Sequence, residues 1–153
     1  MGEPTLAGYV TFLRDIAGLN TTILPNGSPV IEFSYNFSLN TCTELLTIIP
    51  QIPGNFLYIT AVYNLATDIL YTYAKDQQGQ TYFKEAQQKY QLHTFVSGVV
   101  TFAGDEGTQS SLTVPEAMKG LTIGNLQNLK TPYGRTYLQI AQDFGSLSLL
   151  GVA

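Results

Sequence analysis

The apolar positions of this chain recur mostly at helical spacing. Leu6, Tyr9, Val10, Leu13 and Ala17 share one face of a first helix that Thr5 can cap and Gly18 can stop. After the turn "LPNGSP", Ser28 and Pro29 form a cap and first-turn pair for a second helix. The segment that follows fits two periods. Ile31, Phe33, Tyr35, Phe37 and Leu39 alternate as a half-buried strand would, while Ile31, Tyr35, Leu39, Cys42 and Leu46 share a helical face. The preceding cap and the length of the run favour helix. "IIPQIPG" breaks the chain, and Asn55 caps a long helix to about Ala74 that is apolar nearly all round, as a central bundle helix would be. After the loop "DQQGQ", Thr81 opens a short amphipathic helix with Phe83, Ala86 and Tyr90 toward the core.

Beyond Leu92 the pattern changes. "TFVSGVVTF" and "SSLTV" are rich in β-branched and aromatic residues and flank "AGDEG", which predicts a β-hairpin. Pro115 starts a short helical segment through Met118, and Thr131 with Pro132 begins a last helix that Gly145 ends. Tyr133, Tyr137, Ile140, Ala141 and Phe144 form its apolar stripe, with Arg135, Gln139 and Gln142 off it. The expected fold is mainly α: a small helical bundle, a hairpin after the fourth helix and a C-terminal helical arm. As a single domain it divides into a bundle over 1–92, a hairpin over 93–114 and a docking arm over 115–153, since 153 residues are too few for two ordinary domains.

Composition narrows the function. Seven basic and eleven acidic residues give a net charge of −4, and only 12% of the chain is charged, against a usual share of about 25%. A surface of Ser, Thr, Asn, Gln and Tyr is cheaper to desolvate than a charged one, and suits burial by neighbours. Five scattered lysines do not make a phosphate grip. One cysteine, Cys42, and one histidine, His93, cannot assemble a zinc site of the Cys/His type or an internal disulfide. The chain fits a reducing cytoplasm. The sequons at Asn20, Asn26 and Asn36 carry no weight beside an N-terminus without signal-peptide character, and the apolar window "FLYITAVYNLATDILYTYA" holds Asn64 and Asp68, which speaks against a membrane span.

Catalytic patterns are missing. No GxSxG elbow, P-loop or GxGxxG occurs; Cys42 lies on an apolar helical face, and Asp105 and Glu106 stand in a turn without calcium-loop spacing. The ten tyrosines are spread through the predicted helices before Leu92 and the last helix, which fits core and interface duty better than base stacking. No enzyme, no cofactor and no metal are expected.

The C-terminal third, "SGVVTFAGDEGTQSSLTV" followed by "TPYGRTYLQIA", resembles the head-to-tail connector (adaptor) proteins of long-tailed bacteriophages. The likeness lies in a Val/Ser/Thr-rich strand, a glycine turn, a second Ser-rich strand, then a Thr-x-Tyr-Gly turn and short amphipathic helix, over roughly residues 97 to 144. The "EFSYNFSLN" stretch and the low charge of the first helices depart from the family pattern. The resemblance implies a virion neck protein, assembled in the host cytoplasm, whose dodecameric ring sits under the portal and lengthens the DNA channel toward the tail. Its partners would be itself, the portal protein and the next neck or tail-terminator protein. DNA would pass without specific binding, and no membrane is involved. Contacts to portal or neighbouring subunits are expected at Val100 and Phe102 in the hairpin and at Thr131, Pro132, Tyr133, Gly134, Arg135, Tyr137, Ile140 and Phe144 in the arm, with Arg135 as polar anchor. The alternative from another class is a small cytoplasmic ligand-binding module, with Tyr and Asn side chains orienting a ligand between apolar helices.

Overall fold

A computed structural model describes residues 3–45, 56–94, 102–105, 108–111 and 127–144. Five α-helices are present among them: α1 (Leu6–Asp15), α2 (Pro29–Thr41), α3 (Phe56–Tyr73), α4 (Tyr82–Tyr90) and α5 (Pro132–Phe144), with a 3₁₀ turn at Cys42–Glu44 after α2. The helical period therefore wins over 30–41. The reason lies in which side chains bury: Ile31, Ser34, Tyr35 and Ser38 face inward at spacings of three and four, while Phe33 and Phe37 stay exposed.

The Thr5 hydroxyl caps α1 by accepting from the Gly8 N–H at 3.0 Å. Gly18 takes the left-handed conformation at φ +73 just after the helix, and Leu19 N–H returns to the Leu13 carbonyl at 2.9 Å. Leu6, expected on the inner face, is instead exposed. The turn from α1 to α2 is held by Arg14, which donates from Nη1 to Leu19 O at 2.5 Å and from Nη2 to Leu24 O at 2.7 Å and Asn26 Oδ1 at 2.5 Å. That clamp brings the backbone of two fully buried leucines into register with the core.

α3 is the central helix, as its all-round apolar pattern predicts. Every residue from Ala61 to Tyr71 is buried, and α1, α2, α4 and α5 all pack on it. Two serines let α2 approach closely: Ser38 donates to Val62 O at 2.6 Å, and Ser34 shares a hydrogen bond with the Tyr9 hydroxyl at 3.3 Å. Tyrosines tie the N-terminal segment down. Tyr63 Oη accepts from Thr5 N–H at 3.1 Å and Tyr35 Oη donates to Pro4 O at 2.8 Å. The start of α4 is capped from a distance. Thr81 makes no side-chain cap; Asp76 accepts from Phe83 N–H at 2.7 Å and Lys84 N–H at 3.0 Å.

Phe102–Asp105 and Thr108–Ser111 pair antiparallel, with Phe102 opposite Ser111 and Asp105 opposite Thr108. His93 and Thr94, expected to open the hairpin, lie instead in the turn after α4; the other residues of the expected hairpin, Val100 included, lie outside the described residues, as do the expected helical segment at 115–118, the expected helix cap Asn55 and Leu46 of the second helix's inner face.

The last helix, α5, lies in the expected C-terminal arm. It packs along α3, with Leu138, Ile140 and Ala141 buried and Tyr133 stacked on Tyr71 of α3 at 5.6 Å between ring centroids and 15° between planes. A stripe of this kind reports that a helix buries one face, and α3 offered an apolar surface within reach in the same chain.

Candidate functional site

The last helix meets the bundle through an unusual pair for an apolar core. Asp68 lies in the middle of α3 and is 4% exposed; Thr131 precedes α5 and is 0% exposed. The Thr131 hydroxyl donates to Asp68 Oδ1 and accepts from Gly134 N–H at 3.0 Å, so one side chain both caps α5 and binds a carboxylate of α3. Burial pushes the Asp68 carboxyl up to about 7, and the Thr131 hydrogen bond partly offsets that rise.

Gly134 is buried in this junction. A Cβ at that position would run into the Asn128 carbonyl oxygen and lie 2.9 Å from Asp68 Oδ1. The glycine's role is thus close backbone approach, which its place in the first turn of a helix allows at small propensity cost. The preceding segment is tied to the end of α4: Gln127 Nε2 donates to Leu92 O at 2.7 Å, and Lys130 Nζ donates to Gln91 O at 2.6 Å and to Thr94 O.

Beside the junction a cleft of about 400 Å³ opens between α2, α3 and α5. Leu65, Asp68 and Ile69 of α3 line it, with Phe37 of α2, Tyr73 at the end of α3, Asn128 and Tyr137. Asp68 is the most buried of its polar side chains, and among the described residues its Oδ2 has no hydrogen-bond donor. Burial raises the Tyr137 phenol to about 12, so it stays neutral across the physiological range. At the rim, Phe33, Phe37 and Tyr73 form an exposed aromatic row, 48%, 51% and 59% exposed; Phe33 meets Tyr73 edge-on at 5.4 Å and Phe37 at 6.2 Å.

The expected contact residues distribute unevenly over this geometry. Thr131, Gly134 and Ile140 are buried inside the chain, and Tyr133 and Tyr137 are half-buried against its own core. Pro132 and Arg135 are exposed; Arg135 Nη1 donates to Leu129 O at 3.0 Å, a bond to its own chain. Phe144 is the last residue of α5, and Phe102 is the first of the strand pair. Cys42 is fully buried with its thiol pushed up to about 12 by desolvation, and His93 is exposed.

Sequence reasoning missed Asp68 as anything but a polar interruption in an apolar run, and missed the aromatic row. For the row a signal existed: once 30–41 is a helix, Phe33 and Phe37 stand four apart and fall outside the Ile31–Tyr35 face. Asp68 and Thr131 carry no such signal, being sixty-three residues apart.

Among the described residues no three His, Cys, Asp or Glu side chains cluster as metal ligands would, and no helix is long and apolar enough to cross a membrane. Comparison of the chain with family models, curated proteins and solved structures finds no match.

Proposed function

We propose that the chain is a non-enzymatic structural subunit of a phage neck, a head-to-tail connector that forms a ring under the portal and extends the DNA channel toward the tail. The observation that carries this proposal is the aromatic row Phe33–Phe37–Tyr73, three large side chains about half exposed on a chain with little charge. Rows of this kind favour burial by another protein surface, because removing aromatic area from water is favourable and little charge has to be desolvated with it. The order of segments from 97 to 144, ending in "TPYGRTYLQIA", supports the family assignment within this proposal. An acidic chain with scattered lysines also suits a channel wall past which DNA slides without being gripped. Ring neighbours and the portal would then meet exposed features such as the row, Pro132 and Arg135 rather than the inner stripe of α5.

Native mass measurement and negative-stain imaging of the purified protein, alone and with its portal, test the proposal. Rings, free or on the portal, are the expected result. A stable monomer that leaves the portal unbound at micromolar concentration overturns it.

A second reading, a small ligand-binding module, is favoured by the cleft beside Asp68, where Tyr73, Tyr137 and Asn128 surround a carboxylate. A monomer that binds a small molecule there and never meets a portal would make this the function.

A further inference from the structure

We propose that the cleft between α2, α3 and α5 is a binding site for an alkylammonium group, with Asp68 as its counter-ion and the rings of Phe37, Tyr73 and Tyr137 as its walls. All four side chains line the one cleft. Among the described residues the Asp68 carboxylate, 4% exposed, accepts from Thr131 on Oδ1 and has no donor on Oδ2. To an incoming group the cleft offers this acceptor and three aromatic side chains, with the hydroxyls of Thr41 and Thr72 and the amides of Gln127 and Asn128 also on its lining. An ammonium satisfies both, through a charge-assisted hydrogen bond to the carboxylate and cation–π attraction to the rings. The apolar Leu65 and Ile69 suit the methylene stem behind such a head group.

A carboxylate ligand is disfavoured by like charge at Asp68. Burial holds Asp68 near the point where it gains or loses its proton at neutral pH, and an ammonium in the cleft would draw it to the ionised form. The site does not depend on the connector proposal: the ammonium can be a free amine or the end of a lysine side chain on a second copy of the chain.

The probe is n-butylammonium chloride, titrated into the full chain and followed by calorimetry and by amide shifts of α3 and α5, with sodium butyrate as control. Saturable binding of the ammonium and none of butyrate is expected, with shifts centred on the Asp68 and Tyr137 regions. Asp68→Asn keeps the size of the side chain and its bond from Thr131, so it folds, and it should weaken binding at least about tenfold. Phe37→Ala, at an exposed wall, should weaken it about two- to fivefold. Sedimentation with and without saturating n-butylammonium separates the two sources. Dissociation of a self-associated species assigns the site to a lysine of a second copy, and unchanged sedimentation assigns it to a free amine. No binding, equal binding of butyrate, or undiminished binding by Asp68→Asn overturns the proposal.

Discussion

The Thr131 hydroxyl donates a hydrogen bond to Asp68 Oδ1, joining the start of the last helix to the middle of the central one across sixty-three residues of sequence. Around this bond the cap of α5, the close approach at Gly134 and the floor of the cleft are built. A buried carboxylate in an apolar helix is costly when ionised, so the pair has consequences for pH, for substitution and for binding.

The Asp68 carboxyl is raised to about 7 in the folded chain from an ordinary value of 3.8. Between these values the folded state holds a proton that the unfolded state has lost. The stabilisation is fully present below the unfolded value and is lost as pH rises through the folded one. Urea unfolding should therefore show stability falling between about pH 4 and pH 7 on account of this group. Asp68→Asn should flatten that slope and, at about pH 8, leave the variant more stable than the wild type by on the order of 2–4 kcal/mol. A slope unchanged by the substitution would show that another group sets it.

Replacing glycine by alanine inside a helix ordinarily stabilises by about 0.5–1 kcal/mol. Gly134→Ala should do the reverse, because the new methyl meets the Asn128 carbonyl oxygen, which is backbone and cannot swing away, together with Asp68 Oδ1. A loss of about 1–3 kcal/mol or more is expected from such overpacking, read as a lower midpoint in thermal or urea unfolding. A midpoint at or above that of the wild type would remove the close approach from the account.

Which of these features could be read in advance follows from their range along the chain. The α2 segment resolves by which face buries, and Ile31, Tyr35 and Cys42 marked that face at helical spacing before any contact was known. The central place of α3 was legible for the same reason, in an apolar pattern on all its sides. α5 was legible as a helix with one apolar stripe, but not its partner, since Tyr133 and Ile140 announce burial without naming the surface that buries them. Asp76 capping α4 in place of Thr81, and Thr131 reaching Asp68, were invisible because those pairs are set by folding the chain back on itself, outside local spacing. The exposed Phe33 and Phe37 also produced the alternation that resembled a strand.

The two arginines make different use of the same fork. Arg14 is held by three acceptors on the turn between α1 and α2, two of them carbonyls of buried leucines. Arg135 is exposed and donates once, to Leu129 O. Arg14→Ala should cost about 2–3 kcal/mol, and Arg14→Lys should recover little of it, because a single ammonium cannot span acceptors that the planar guanidinium reaches together. Arg135→Ala should cost less than about 1 kcal/mol. Chemical denaturation of the three variants checks the ranking. Equal losses at the two arginines would contradict the clamp at Arg14.

The aromatic row separates assembly from folding. Phe33, which also meets Phe37, meets Tyr73 edge-on while both stay about half exposed. Changing both to serine forfeits that contact, an aromatic pair worth about 0.5–1.5 kcal/mol, but opens no cavity in the core. The far-UV circular dichroism and the cooperative melt of Phe33→Ser/Tyr73→Ser should thus persist, with the midpoint only slightly lower. Under the connector proposal the same variant should lose ring formation or portal binding, because the surface it makes polar is the one expected to be covered. Phe37, Tyr137 and Asp68 are left in place, but Tyr73 is one of the cleft's three rings, so n-butylammonium binding should weaken about two- to fivefold rather than vanish. Rings that form undiminished would place the subunit contacts elsewhere on the chain. A collapse of the melt itself would show that the row supports the α2–α3 packing, and in that case loss of assembly would carry no information about an interface.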